Sequence, residues 1–248
     1  MMSKSSFAII LALVLVGCDD GGDAVDSGAG ADAALPDAGN DAGPGTDAGP
    51  RMGEVTIAFA GTSGIVLAGV TACLTGTSTC ATSGVLGTAT LTLPLGIEAS
   101  LEVDAPDTYP QMMAFRDLSL ADGTTFGIFS TTSVEELFDS AGVTADPALG
   151  HVLLAFPSGE GATIAISAGE GPFYGEGRDF LVDPSLTAVP AGFALALIAN
   201  LPVGEQMLTI SVPTGQCTGN FGWSGSEPNI RRFPVTAGRI AADTISCL

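Results

Sequence analysis

Residues 90–103 decide the fold class: Thr90-Leu91-Thr92-Leu93-Pro94-Leu95-Gly96-Ile97-Glu98-Ala99-Ser100-Leu101-Glu102-Val103. Before Pro94, leucines alternate with threonines. After Gly96, Ile97, Ala99, Leu101 and Val103 alternate with Glu98, Ser100 and Glu102. A strand sends successive side chains to opposite faces, so this period of two marks strands with one buried face. Two such runs around a short Pro/Gly turn predict a β-hairpin.

The pattern returns downstream. Leu201-Pro202-Val203-Gly204 follows the apolar run 193–199 and precedes residues 206–212. Upstream, Gly69-Val70-Thr71-Ala72-Cys73-Leu74 aligns with Gly161-Ala162-Thr163-Ile164-Ala165-Ile166. The turns lie 108 residues apart (201 against 93) and these strands 92 apart (161 against 69). A second copy with about sixteen extra residues near 169–183 predicts a duplicated β-domain. Between the copies, Ser133-Val134-Glu135-Glu136 has the form of a capping box and Gly142 a helix stop, which predicts a short helix over 134–141.

Residues 67–74 together with Leu93-Pro94-Leu95-Gly96 resemble the carboxypeptidase regulatory-like domain. The first copy resembles it over residues 55–103, and the second more loosely over 151–247. The resemblance implies a small prealbumin-like (transthyretin-like) sandwich, common in bacterial envelope lipoproteins, with Greek-key topology and about seven strands. The expected fold class is therefore all-β, with two tandem Greek-key prealbumin-like β-sandwiches at 52–128 and 150–248. A helix-containing connector at 129–149 joins them.

The N-terminal residues have a different texture. Lys4 precedes the apolar run Phe7-Ala8-Ile9-Ile10-Leu11-Ala12-Leu13-Val14-Leu15-Val16, ten residues long. Crossing a bilayer takes about 20, so residues 1–17 read as a signal peptide. Leu15-Val16-Gly17-Cys18 resembles the bacterial lipobox, which implies that Cys18 is the lipidated first residue of the mature chain. Each buried methylene adds ~0.8 kcal/mol, so two or three acyl chains would anchor firmly. Residues 18–51 are rich in Asp, Ala, Gly and Pro, with eight aspartates between 19 and 50. That composition buries no core and predicts a disordered, extended tether. The expected location is the cell envelope, exported and lipid-anchored, with inner and outer membrane both open.

Lys4 is the only lysine, so the mature chain sets six arginines against 27 carboxylates. That balance repels phosphate backbones and excludes nucleic acid as a partner. Beyond Cys18 the cysteines are Cys73, Cys80, Cys217 and Cys247. An even count in an exported chain predicts disulfides. Of three connectivities, proximity favours 73–80 and 217–247, contributing roughly 2.5 and 3.7 kcal/mol by loop entropy.

Catalytic sets are scarce. A zinc carboxypeptidase needs a His-x-x-Glu pair and a second histidine, but His151 is the only one and Val152-Leu153-Leu154 follows it. Gly222-Trp223-Ser224-Gly225-Ser226 departs from Gly-x-Ser-x-Gly at its last position, where a nucleophile elbow needs glycine. No cofactor is implied. The weak metal or acid/base candidates are Glu176, Asp179 and Asp183, near Glu170 in the insertion. The aromatic candidates for gripping a protein or stacking on a glycan are Tyr174, Phe221 and Trp223. Arg231 and Arg232 are the only adjacent basic pair, expected to pair with the chain's own carboxylates. The expected function is a non-enzymatic, lipid-anchored structural or binding module. The alternative is a hydrolase or calcium-dependent enzyme with its site at 169–183.

Overall fold

A computed structural model describes residues 49–177, 180–219, 223 and 225–248. The expected signal peptide, Cys18 and nearly all of the acidic tether lie outside the described residues. The first half contains β1 (Met52–Gly61), β2 (Thr71–Leu74), β3 (Cys80–Thr82), β4 (Thr88–Pro94), β5 (Ala99–Asp104), β6 (Gln111–Phe115) and β7 (Thr125–Ile128). Helix α1 (Thr131–Ala141) follows. The second half contains β8 (Gly150–Phe156), β9 (Thr163–Ile166), β10 (Glu170–Glu176) and β11 (Ala194–Leu201). It continues with β12 (Gly204–Ser211), β13 (Cys217–Gly219), β14 (Ile230–Val235) and β15 (Ile240–Cys247).

Among the described residues the strands form an all-β, sandwich-like arrangement of three sheets. Two are short, in the orders β4-β1-β7 and β14-β12-β9. The third runs β10-β11-β8-β15-β6-β5-β2-β3 and so crosses both halves, with β13 paired to β15. Residues 90–103 do not form the expected hairpin. β4 pairs with β1 in a short sheet, whereas β5 pairs with β2 and β6 in the long one. The Pro94–Gly96 turn therefore carries the chain from one layer to the other. Leu91, Leu93, Leu101 and Val103 all point into the core between them. Alternation selects the buried face of a strand but does not select its neighbour. The later turn behaves in the same way, since β11 pairs with β8 and β10 while β12 pairs with β14 and β9.

Apart from β13, which pairs with β15 and has no counterpart in the first half, the strands of the two halves correspond. In each, the first, fourth and last strands share a sheet, with first and last parallel: β4-β1-β7 and β11-β8-β15. The second strand and the pair after the crossing turn share the other: β2-β5-β6 and β9-β12-β14. Only the third strand changes sides, β3 joining β2 and β10 joining β11.

Each half has its own core between layers, one built around Phe59, Leu93, Leu101 and Phe115, the other around Phe156, Ile198, Leu208 and Phe233. A third cluster joins Val134, Leu137 and Phe138 of α1 to Leu153, Leu195, Leu197 and Ile240 on the opposite face of the long sheet. The helix begins earlier than expected because Ser130, not Ser133, is its cap. The Ser130 hydroxyl accepts from the Ser133 N–H at 3.1 Å, and Gly142 ends the helix at φ 69°. At eleven residues α1 is too short to cross a membrane, and no helix among the described residues is long and apolar enough to do so.

The halves join where β15 lies parallel to β6, Ile240 opposite Gln111 and Ala241 opposite Met112. Arg239 clamps this seam from the turn before β15. Its guanidinium donates to both Asp104 oxygens at 3.0 and 2.9 Å and to the Gln111 carbonyl at 3.2 Å, with Glu102 also 3.2 Å away.

Candidate functional site

The segment 169–183, where an insertion is expected from the sequence, begins with β10, an edge strand of the long sheet. Glycines let other backbone close over it: the segment at Leu181 and Val182 rests directly on Gly175, where a Cβ would collide with both. The Asp183 N–H donates to the Tyr174 carbonyl at 2.7 Å, and the Gly177 N–H to the Phe193 carbonyl at 2.8 Å. A shallow hollow of about 260 Å³ lies between, lined by residues that include Glu176, Leu181, Asp183 and Pro190.

Among the described carboxylates of this region, Glu176 and Asp183 line that hollow, whereas Glu170 stands apart. Glu170 and Glu176 stand at opposite ends of a seven-residue strand, roughly 20 Å apart. Glu170 accepts from the Asn200 side-chain amide at 2.6 Å. Asp183 is engaged locally, accepting from the Ser185 N–H at 2.8 Å and its hydroxyl at 2.6 Å. Those two bonds hold its carboxyl below the usual range. Asp179 lies outside the described residues. Among the described residues, no three His, Cys, Asp or Glu side chains come together to hold a metal.

Of the aromatic candidates, Tyr174 and Trp223 lie among the described residues. Tyr174 is not a stacking surface: it is 2% exposed, sits in the second core, and its hydroxyl accepts from the Ile164 N–H at 2.7 Å. Burial raises its phenol, with that hydrogen bond acting in the opposite direction. The cause is the phase of β10, which turns Phe173 towards the helix-side cluster and Tyr174 into the sandwich. Trp223 is half-buried, and Phe221 lies outside the described residues. Ser226 organises the nearby turn, its hydroxyl oxygen accepting from the Trp223 N–H at 3.2 Å and the Arg232 N–H at 3.0 Å.

The basic pair is divided between interior and surface. Arg231 is buried, which lowers its pKa against the opposing influence of Asp243. Arg232 pairs with Glu205 at 2.9 Å. His151 is fully buried at the start of β8, 4.7 Å from the Phe138 ring centre, and its Nδ1 accepts from the Asn200 N–H at 3.1 Å. Burial lowers its pKa to about 4, with Asp146 acting weakly upward. It is neutral near pH 7 and packed where no surface substrate reaches it. Both expected disulfides are present, Cys73–Cys80 and Cys217–Cys247, each between residues directly opposite in register. The Arg239 clamp was invisible in the sequence because its partners lie 128 and 135 positions away.

No family model matches the chain, and no curated protein does. Three solved structures are similar over most of it. One is the Bacillus anthracis TIE protein, at 15% identity and TM-score 0.25, covering 79% of this chain and 34% of that one. Another is a mutant of the shaft pilin spaA from Lactobacillus rhamnosus GG, at 10% identity and TM-score 0.24, covering 80% and 99%. The third is CBMbc, of family CBM26, from Eubacterium rectale Amy13K in complex with maltoheptaose, at 14% identity and TM-score 0.25, covering 78% and 93%. The chain thus spans about a third of the length of the TIE protein. At these scores the overlaps transfer no function. What the described residues present is a sheet-rich module without a catalytic constellation.

Proposed function

We propose that this chain is a non-enzymatic, lipid-anchored cell-envelope protein, held at a membrane through Cys18, whose folded part is a structural or binding module for a protein or glycan. The observation that carries the reading is the pair of disulfides. All four cysteines beyond Cys18 are joined strand to strand, the chemistry of an oxidising compartment outside the cytoplasm. The sequence before the described residues supplies the address: an apolar run, Leu15-Val16-Gly17-Cys18, then an acidic Asp/Ala/Gly/Pro stretch. The strand orders, with first and last strands parallel in each half, support two prealbumin-like Greek-key sandwiches sharing one sheet.

Mass analysis of the N-terminal peptide from the exported protein tests the anchor. A mature chain beginning at Cys18 with acyl mass on it is expected, lost on Cys18→Ser; an unmodified Cys18 would overturn the anchored reading. Capture of envelope proteins and glycans with and without Trp223→Ala tests the aromatic turn, and unchanged capture would remove Trp223 from the binding surface.

A further inference from the structure

At one end of the first half, two turns lie side by side. In one, the Gly61 N–H donates to the Ile65 carbonyl and the Gly64 N–H to the Gly61 carbonyl, each at 2.8 Å. In the other, the Gly87 N–H donates to the Gly84 carbonyl at 2.9 Å, which places Val85 and Leu86 at the corners of a tight turn. Phe59 ties them together, its N–H donating to the Gly87 carbonyl at 2.8 Å while its carbonyl accepts from the Leu67 N–H at 2.9 Å. Gly87 packs so closely that a Cβ there would lie 2.9 Å from the Val66 Cβ. The tips carry Ile65, Val66, Val85 and Leu86, which are 66, 55, 87 and 75% exposed. Turn corners ordinarily take Gly, Pro, Asn, Asp or Ser, so two aliphatic residues there have no local conformational reason.

The charge pattern coincides with this surface. From Val55 to Ile97 the chain has no Asp, Glu, Lys or Arg, in a protein of net charge −20. We propose that Ile65, Val66, Val85 and Leu86 form a membrane-contact surface that inserts into a zwitterionic lipid bilayer. A protein partner or second copy would need about 800 Å² from each side, more than two turn tips supply, whereas a bilayer requires no matched shape. The acidity elsewhere repels anionic headgroups, which selects a zwitterionic surface. The nearest carboxylate by register, Asp104 opposite Thr71, is taken up by Arg239. Exposed Asp107, in the turn after β5, limits entry to the tips. The chain enters β1 at Met52, about 30 Å from these turns, and residues 18–48 span up to about 100 Å when extended. That length is enough for the tips to meet a membrane to which Cys18 is attached. The inference rests on the envelope reading for that encounter, not for the contact itself.

The test uses the chain from residue 18 with Cys18→Ser, so that it carries no acyl group, with both disulfides formed and phosphatidylcholine vesicles as the probe. Co-sedimentation is expected, with amide exchange slowed at residues 62–67 and 84–88. The double variant Val85→Asp/Leu86→Asp should reduce partitioning at least tenfold. Ile65→Ser/Val66→Ser gives an independent reading should the first variant fold poorly. Equal partitioning of all three proteins, or none by the unsubstituted chain, would overturn the proposal. So would a dimer dissociated by the same substitutions without vesicle binding, which would assign the surface to a second copy. Because no lipid is attached, the outcome is independent of whether Cys18 is acylated, which the peptide mass reads separately.

Discussion

The first and fourth strands of each half occupy matching places, yet their sequences have different textures. β4 reads Thr-Ala-Thr-Leu-Thr-Leu-Pro and alternates exposed with buried, because one face meets the first core and the other meets water. β8 (Gly-His-Val-Leu-Leu-Ala-Phe) and β11 (Ala-Leu-Ala-Leu-Ile-Ala-Asn-Leu) are apolar nearly throughout and buried on both faces. The difference is α1, which covers their outer side. A strand between two layers loses its alternation for the same reason that parallel strands in doubly covered sheets do. One strand arrangement thus occurs here with one face wet and with that face roofed, and the roof is the helix α1.

The largest test of that contrast compares the two outer faces. Leu197→Ala removes a fully buried side chain beneath α1 and should cost about 2–5 kcal/mol in urea unfolding. Thr90→Ala, on the outer face of β4, removes only an exposed hydroxyl contact with Thr56 at 3.0 Å and should cost under about 0.5 kcal/mol. Similar costs at the two positions would mean that the helix does not act as a roof.

The third strand is the second contrast. In the first half Cys73–Cys80 staples β3 to β2, and both stay in one sheet. The second half has no such staple. There β10 crosses to β11, helped by Gly169 at φ 85° and Gly171 at φ 102°, whose missing side chains let the chain pass close to the Ala199 and Leu197 carbonyls. Its disulfide instead ties β13 to β15. Loop entropy assigns about 3.7 kcal/mol to Cys217–Cys247 and about 2.5 to Cys73–Cys80. Paired Cys→Ser variants, compared by denaturant midpoint at constant slope, should show that order. The reverse order would make the β2–β3 staple a larger determinant of the first half than its loop length allows.

Much of this architecture was legible in the sequence, and the residues show where legibility stopped. Alternation identified Leu91, Leu93, Leu101 and Val103 as core, and short spacing identified both disulfides. The repeat of residues 69–74 at 161–166 matched β2 to β9. Sheet membership was not legible, because a hairpin and a turn between layers share one local pattern. The fate of Tyr174 was equally hidden: Glu170-Gly171-Pro172-Phe173-Tyr174-Gly175-Glu176 looks like a polar loop until β11 is placed beside it. Glu170 and Glu176 are six positions apart in sequence, but an extended strand holds its two ends apart.

His151 gives a pH test specific to the roofed half. Its folded pKa of about 4 lies below the ordinary 6.5, so the unfolded chain binds the proton more readily. Stability from this group is complete above pH 6.5 and is lost as pH falls towards 4, by at most about 3 kcal/mol. A variant His151→Phe should flatten that part of the stability curve. An unchanged slope between pH 6.5 and 4 would place the titrating group elsewhere.

The smallest expected effect falls on the seam itself. Arg239 is largely buried, but its partner Asp104 is half-exposed, and pairs of that kind contribute about 1 kcal/mol. Arg239→Met retains the aliphatic stem over the seam and removes the charge. If the long sheet makes the halves one cooperative unit, the variant should unfold in a single transition with its midpoint lowered slightly and its denaturant slope unchanged. If the halves are held together mainly by the clamp, two transitions should appear, because β6 and β15 share only two register pairs to resist separation. The two outcomes differ in the shape of the curve rather than in its midpoint. Even a contribution of about 1 kcal/mol therefore decides whether the shared sheet or the salt bridge unites the two halves.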